Sequence, residues 1–148
     1  RSPNATRPWQ HVLEPLSGYL ALACNLVQSN ENQGQAYNFG PSSVQNYSVQ
    51  HLIDEMGKYW DKVHWNDISR TGKHLHEAGL LKLNCDKALF DLSWEPTLRF
   101  DVTIKMTIEW YKAYYQKEVP SMYEFTKSQI QEYTKLAQLQ KIKWAYHD

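Results

Sequence analysis

The stretch Arg7-Pro8-Trp9-Gln10-His11-Val12-Leu13-Glu14-Pro15, running on into Leu16-Ser17-Gly18-Tyr19-Leu20-Ala21-Leu22-Ala23, decides how this chain folds. From Pro15 to about Gln28, Leu16, Tyr19, Leu20, Ala23 and Val27 recur at helical spacing. Pro15 suits a first turn, where its missing N–H leaves no helical bond unmade. Glu14 is placed to cap that turn, since a carboxylate is favoured at the positive end of the helix dipole. The spacing therefore predicts a helix over 15–28.

Outward from that helix the pattern alternates between helices and short extended runs. Gln35-Ala36-Tyr37-Asn38-Phe39, between Gly34 and Gly40-Pro41, reads as a short buried strand. Ser48 stands where an N-cap belongs, and Val49, Leu52, Ile53, Met56 and Trp60 form the apolar face of a second helix. Strands are expected at 63–68 and 80–83, separated by a polar loop, 69–79, that carries Arg70, Lys73, His74, His76 and Glu77. A short helix is predicted over 86–92, stopping near Trp94-Glu95-Pro96 because proline disfavours helical geometry in the residue before it. A further helix runs from Phe100 to about Gln116. The last starts at Ser121-Met122-Tyr123-Glu124, which has capping-box spacing, and extends to about Trp144. The class is α+β, a mainly helical lobe with short strands.

Composition sets the limits. At 148 residues with 42% hydrophobic side chains, the chain can enclose one core. Its 16 basic and 16 acidic residues cancel, so it lacks the global positive field that draws proteins to nucleic acid or anionic lipid. No run approaches the roughly 18 apolar residues of a membrane helix, and a cytoplasmic location is expected. Cys24 and Cys85 lie too far apart for a dense disulfide framework and read as reduced core residues. The triplets Asn4-Ala5-Thr6 and Asn46-Tyr47-Ser48 fit the glycosylation pattern, which matters only in a secreted eukaryotic protein.

The nine residues Arg7 to Pro15 closely resemble the signature opening the C-terminal lobe of CDP-glucose 4,6-dehydratases, in the extended short-chain dehydrogenase/reductase superfamily. The resemblance continues in order through Tyr37-Asn38-Phe39-Gly40-Pro41, His76-Glu77-Ala78, Leu81-Lys82-Leu83, Lys87-Ala88, Trp94-Glu95-Pro96, Trp110-Tyr111 and a tail with Gln129-Ile130 and Tyr133. It implies one nucleotide-sugar-binding domain over 1–148, cut at its N-terminus, with 118–148 as a helical extension. It also implies an N-terminal Rossmann domain that holds NAD and lies outside this chain. The reaction implied is loss of water from CDP-glucose to give a 4-keto-6-deoxy sugar.

The resemblance selects Arg7 for the nucleotide diphosphate, since a planar guanidinium suits two phosphate oxygens at once. Asn38, His76 and Glu77 fall where related enzymes place polar contacts to the nucleotide, and Trp9 adjoins Arg7 as a near-ligand residue. On residue type alone, Arg7 reads as a surface side chain beside a turn, and Asn38 serves as a turn former nearly as readily as a ligand contact. Trp94 and Trp110 read as packing anchors. His74-x-His76-Glu77 lacks the further ligands that a zinc or iron site needs, so no metal is expected.

No catalytic residue is expected within the chain. Tyr123-x-x-x-Lys127 copies the superfamily's catalytic spacing, but with ten tyrosines roughly one such match arises by chance, and in the family that pair precedes the lobe. The six glycines never form the closely spaced set that a dinucleotide pyrophosphate requires, so no cofactor is expected in this chain, while NAD is implied for the complete enzyme. The expected partners are a CDP-sugar or related nucleotide sugar and the missing Rossmann domain. The alternatives are the same lobe of another nucleotide-sugar epimerase or dehydratase, and a non-catalytic interaction module that forms a homodimer through its exposed former interface. A hydrolase would need a nucleophile-base arrangement that the serines, cysteines and histidines do not offer.

Overall fold

The computed structural model describes residues 2–68 and 78–146. In chain order it contains β1 (Thr6–Arg7), α1 (Leu13–Gln28), β2 (Tyr47–Ser48), α2 (Val49–Tyr59), α3 (Asp86–Leu92), α4 (Phe100–Gln116), α5 (Met122–Leu139) and a 3-10 turn, Lys143–Ala145. The α+β, mainly helical class is borne out. The helices at 49–59, 86–92 and 100–116 lie where capping and periodicity put them, and α1 starts two residues earlier than expected. The Ser48 hydroxyl accepts from the His51 N–H at 3.1 Å, and the Ser121 hydroxyl from the Glu124 N–H at 3.3 Å, each satisfying a backbone donor that a helix start leaves free.

The strands differ from expectation. Runs 35–39, 63–68 and 80–83 form no ladder among the described residues. The observed sheet is a two-residue antiparallel pair, with Thr6 opposite Ser48 and Arg7 opposite Tyr47. Alternating aromatics in 35–39 signalled burial of Phe39, which is 8% exposed, rather than a backbone partner. Chain 78–79 instead lies along β1, since Thr6 N–H donates to the Gly79 carbonyl at 2.8 Å.

The last helix ends at Leu139 rather than near Trp144. Lys141 takes a left-handed φ of 60°, and the Ile142 N–H returns to the Ala137 carbonyl at 3.0 Å. That reversal folds Ile142 and Ala145 over Ala137 and closes a small core cluster. Both cysteines are free, but Cys24 is exposed and Cys85 half-buried, so neither is the core residue expected.

Three further clusters form the interior. Phe39, Ala88 and Trp94 pack with Ala21 and Leu22 of α1. Leu98, Met106 and Tyr133 join the start of α4 to α5. Phe100, Ile104 and Ile108 face Leu52, Met56 and Trp60 across the α2–α4 contact, with Trp9 on the same cluster. At position 18 a Cβ would stand 2.3 Å from the Phe39 ring, so only glycine lets α1 approach that ring so closely.

Glu14 ties these clusters together. It is 1% exposed and does not serve as a surface cap. Its Oε1 accepts the Leu98 N–H at 2.6 Å and the Thr97 N–H at 3.1 Å, and its Oε2 accepts the Tyr133 hydroxyl at 2.9 Å. The carboxylate thus satisfies the backbone just ahead of α4, 83 residues along the chain. Sequence reasoning assigned Glu14 to local electrostatics because partners at that separation leave no local signal.

Candidate functional site

Three of the segments that carry the resemblance, at 7–10, 37–41 and 78–83, converge along one edge. Arg7 sits in β1, and one guanidinium nitrogen donates to the Thr6 carbonyl at 2.7 Å and to the Ala78 carbonyl at 2.9 Å. That contact brings Ala78, last residue of the His76-Glu77-Ala78 motif, against Arg7. Asn38 is exposed, and its amide donates to the Asn84 carbonyl at 3.3 Å. Lys82 reaches the Ser43 carbonyl at 3.2 Å, and Leu83 lies so close to Gly40 that a Cβ there would meet its Cδ1 at 2.8 Å. Between these segments is a shallow hollow lined by Pro8, Pro41, Ser42, Gln45, Lys82 and Leu83.

Arg7, Asn38 and Lys82 therefore belong to neighbouring segments around one polar edge. Lys82 entered the reading only as part of a motif, and its position beside Ser43 adds a cation that spacing alone did not single out. His76 and Glu77 lie outside the described residues, as do Arg70 and His74. Among the described residues no cluster of three His, Cys, Asp or Glu side chains could hold a metal ion.

Trp9 turns elsewhere. Its indole N–H donates to the Tyr47 carbonyl at 3.0 Å, and its ring lines a cavity of about 200 Å³ with Gln10, Leu52, Met56, Ile104 and Ile108. That volume lies below the roughly 300–1,000 Å³ of typical ligand pockets, and its walls are mostly apolar, so alone it cannot enclose a nucleotide sugar. Trp94 is an anchor, 1% exposed, and its N–H donates to the Ser17 hydroxyl at 2.9 Å. Trp110 is half-buried and bonds the Thr126 hydroxyl at 2.8 Å. Tyr123 is 74% exposed on α5, one turn from the exposed Lys127.

Two titrating groups beside these segments are held neutral. His11 is 6% exposed, burial lowers its pKa, and its Nδ1 accepts the Leu13 N–H at 3.3 Å. The Tyr37 hydroxyl is pushed up to about 12 by desolvation and by donating to Asp91 at 2.8 Å. Both groups hold backbone or side chains in place, and neither is poised to move a proton near pH 7.

No protein-family model matches the chain. Its sequence is similar to CDP-glucose 4,6-dehydratase of Salmonella typhimurium strain LT2, at 37% identity over 134 residues. The match covers 90% of this chain and 36% of that protein, so the chain spans about a third of its relative's length. The resemblance read from Arg7–Pro15 and the later motifs is thereby borne out. Among the described residues, no helix is long and apolar enough to cross a membrane.

Proposed function

We propose that this chain is the substrate-binding lobe of a nucleotide-sugar 4,6-dehydratase acting on CDP-glucose, located in the cytoplasm and inactive without a dinucleotide-binding domain. The observation that carries the reading is the 37% identity over 90% of the chain, joined to the convergence of its motif segments around Arg7. Arg7 binds the diphosphate, with Asn38 and Lys82 on adjacent segments and His76 and Glu77 supplying contacts to the nucleotide. NAD, if held by the remainder of such an enzyme, would supply the hydride-transfer chemistry. This chain contributes binding and orientation.

Calorimetric titration with CDP, with CMP and UDP as comparators, tests the role of Arg7. CDP is expected to bind more tightly than CMP, since CMP lacks the second phosphate. Arg7→Ala is expected to weaken CDP binding about tenfold or more, the worth of a charge-assisted hydrogen bond. Equal CDP binding by wild type and Arg7→Ala would exclude Arg7 as the phosphate ligand.

A further inference from the structure

The start of α1 is held by a histidine rather than by the serine, threonine, asparagine or aspartate that usually caps a helix. Val12, at the N-cap, makes no side-chain cap bond. His11 makes both contacts in its place. Its Nδ1 accepts the Leu13 N–H at 3.3 Å, and its carbonyl accepts the Glu14 N–H at 3.0 Å. The ring can accept at Nδ1 only while that nitrogen carries no proton. Three conditions oppose protonation there. The residue is 6% exposed, Nδ1 faces an N–H that a second N–H would repel, and the ring lies at the positive end of the α1 dipole. Imidazolium formation therefore breaks the Leu13 contact and frees a buried donor of the helix start.

What His11 joins to α1 is the segment of the candidate site. Immediately ahead of it, the Gln10 amide donates to the Phe39 carbonyl at 3.1 Å, the Trp9 indole to the Tyr47 carbonyl at 3.0 Å, and the Arg7 guanidinium to the Ala78 carbonyl at 2.9 Å. Immediately after it, Glu14 and Ser17 are locked into the interior. The charged and titratable groups on the surrounding elements turn to other partners. Glu14 faces Leu98 and Tyr133, Arg7 faces backbone carbonyls, Asp91 takes the Tyr37 hydroxyl, Lys87 takes Gln35, and Arg99 pairs with Asp101.

We infer that His11 is a positioning residue for the nucleotide site: its neutral ring pins the start of α1 and so holds segment 7–10 in place, and its protonation at acid pH releases that segment and weakens binding of a nucleoside diphosphate. For the ligand, this inference rests on the proposed function. Burial holds the ring below its ordinary 6.5, so the associated stability is complete above 6.5 and is lost as pH falls through the lowered value.

Proton NMR of the whole chain follows the His11 ring as pH is lowered from neutrality, and the Trp9 indole N–H, assigned with Trp9→Phe, reports on the segment. The Trp9 signal is expected to shift with the His11 titration. His11→Asn supplies an oxygen acceptor and takes no charge, so it is expected to keep the fold and abolish that shift. Calorimetric titration with CDP gives the functional readout, and the ionisation of CDP itself is common to both proteins. Relative to His11→Asn, the wild-type affinity is expected to be about twofold lower at the His11 midpoint and about tenfold lower one pH unit below it, in proportion to the neutral fraction. A His11 ring that titrates at or above 6.5, a Trp9 signal unmoved through that titration, or the same pH dependence of CDP affinity in both proteins would each overturn the inference. Should His11→Asn fail to fold, the wild-type ring and Trp9 signals still decide it. CDP that binds at no pH removes the proposed function, and a Trp9 shift that tracks His11 then keeps the clamp without its ligand.

Discussion

Replacing Glu14 with alanine is expected to lower stability by about 3 kcal/mol or more, measured by urea unfolding at pH 7. The carboxylate is 1% exposed and accepts the Thr97 and Leu98 N–H groups and the Tyr133 hydroxyl. Alanine leaves those donors in an interior that water does not reach, each costing about 1–3 kcal/mol, and adds a void. Glu14→Gln is expected to cost less, because its oxygen can keep both backbone donors and its amide can face the Tyr133 oxygen. Burial pushes the Glu14 carboxyl above its ordinary value of 4.5, opposed by the Leu98 and Thr97 backbone donors and by Tyr133. The folded state therefore holds this proton where the unfolded chain has lost it. The associated stability is present below 4.5 and is lost as pH rises through the raised value. Glu14→Gln should flatten that part of the stability profile, and an unchanged profile would mean that Glu14 is not its source.

The second large effect is expected at Trp94. Its alanine variant should lose about 3–5 kcal/mol by urea unfolding, the range for deleting a buried aromatic. The indole meets Phe39 edge-on at 4.9 Å between centroids, and its N–H donates to Ser17, whose hydroxyl also receives Tyr133 at 2.9 Å. Trp94→Phe keeps much of the volume and forfeits the hydrogen bond, for an expected cost of about 1 kcal/mol beyond the packing change. Trp110 is only half-buried, so Trp110→Ala should cost less. Equal losses at the two tryptophans would contradict the placement of Trp94 at the centre of the interior.

These two positions show what the sequence could and could not convey. Helix existence was legible because 3.6-residue periodicity and Ser caps act locally, and Ser48 and Ser121 cap as their spacing requires. Strands were not, because alternation reports which side chains are buried and says nothing of which backbone lies alongside. Phe39 is buried without a ladder, while Thr6 and Arg7 pair with Tyr47 and Ser48 across a span that no local signal marks. The repeat in α1 gave the helix but not its facing, since Gly18 brings the helix onto Phe39 with Ser17 and Glu14 inward. Tyr133, read only as part of a familiar tail, proves to be a partner of Glu14 and Ser17.

Of the candidate site, the motif segments were legible and their geometry was not. Arg7, Asn38 and Lys82 stand on neighbouring stretches, a proximity that no spacing along the chain marks. Trp9 stands two residues from Arg7 yet turns to the α2–α4 cavity, because the Trp9 N–H closes on the Arg7 carbonyl at 2.9 Å in a tight turn centred on Pro8, which breaks the extended run that would have put both side chains on one face.

The most direct measurement is turnover of CDP-glucose by the chimera of this chain with the remaining two thirds of the Salmonella enzyme. A 4-keto-6-deoxy product, formed by the wild-type chimera and strongly reduced by Arg7→Ala, is the expected result. A folded chimera that binds NAD and leaves CDP-glucose unchanged would contradict the assignment of this chain as the substrate-binding lobe.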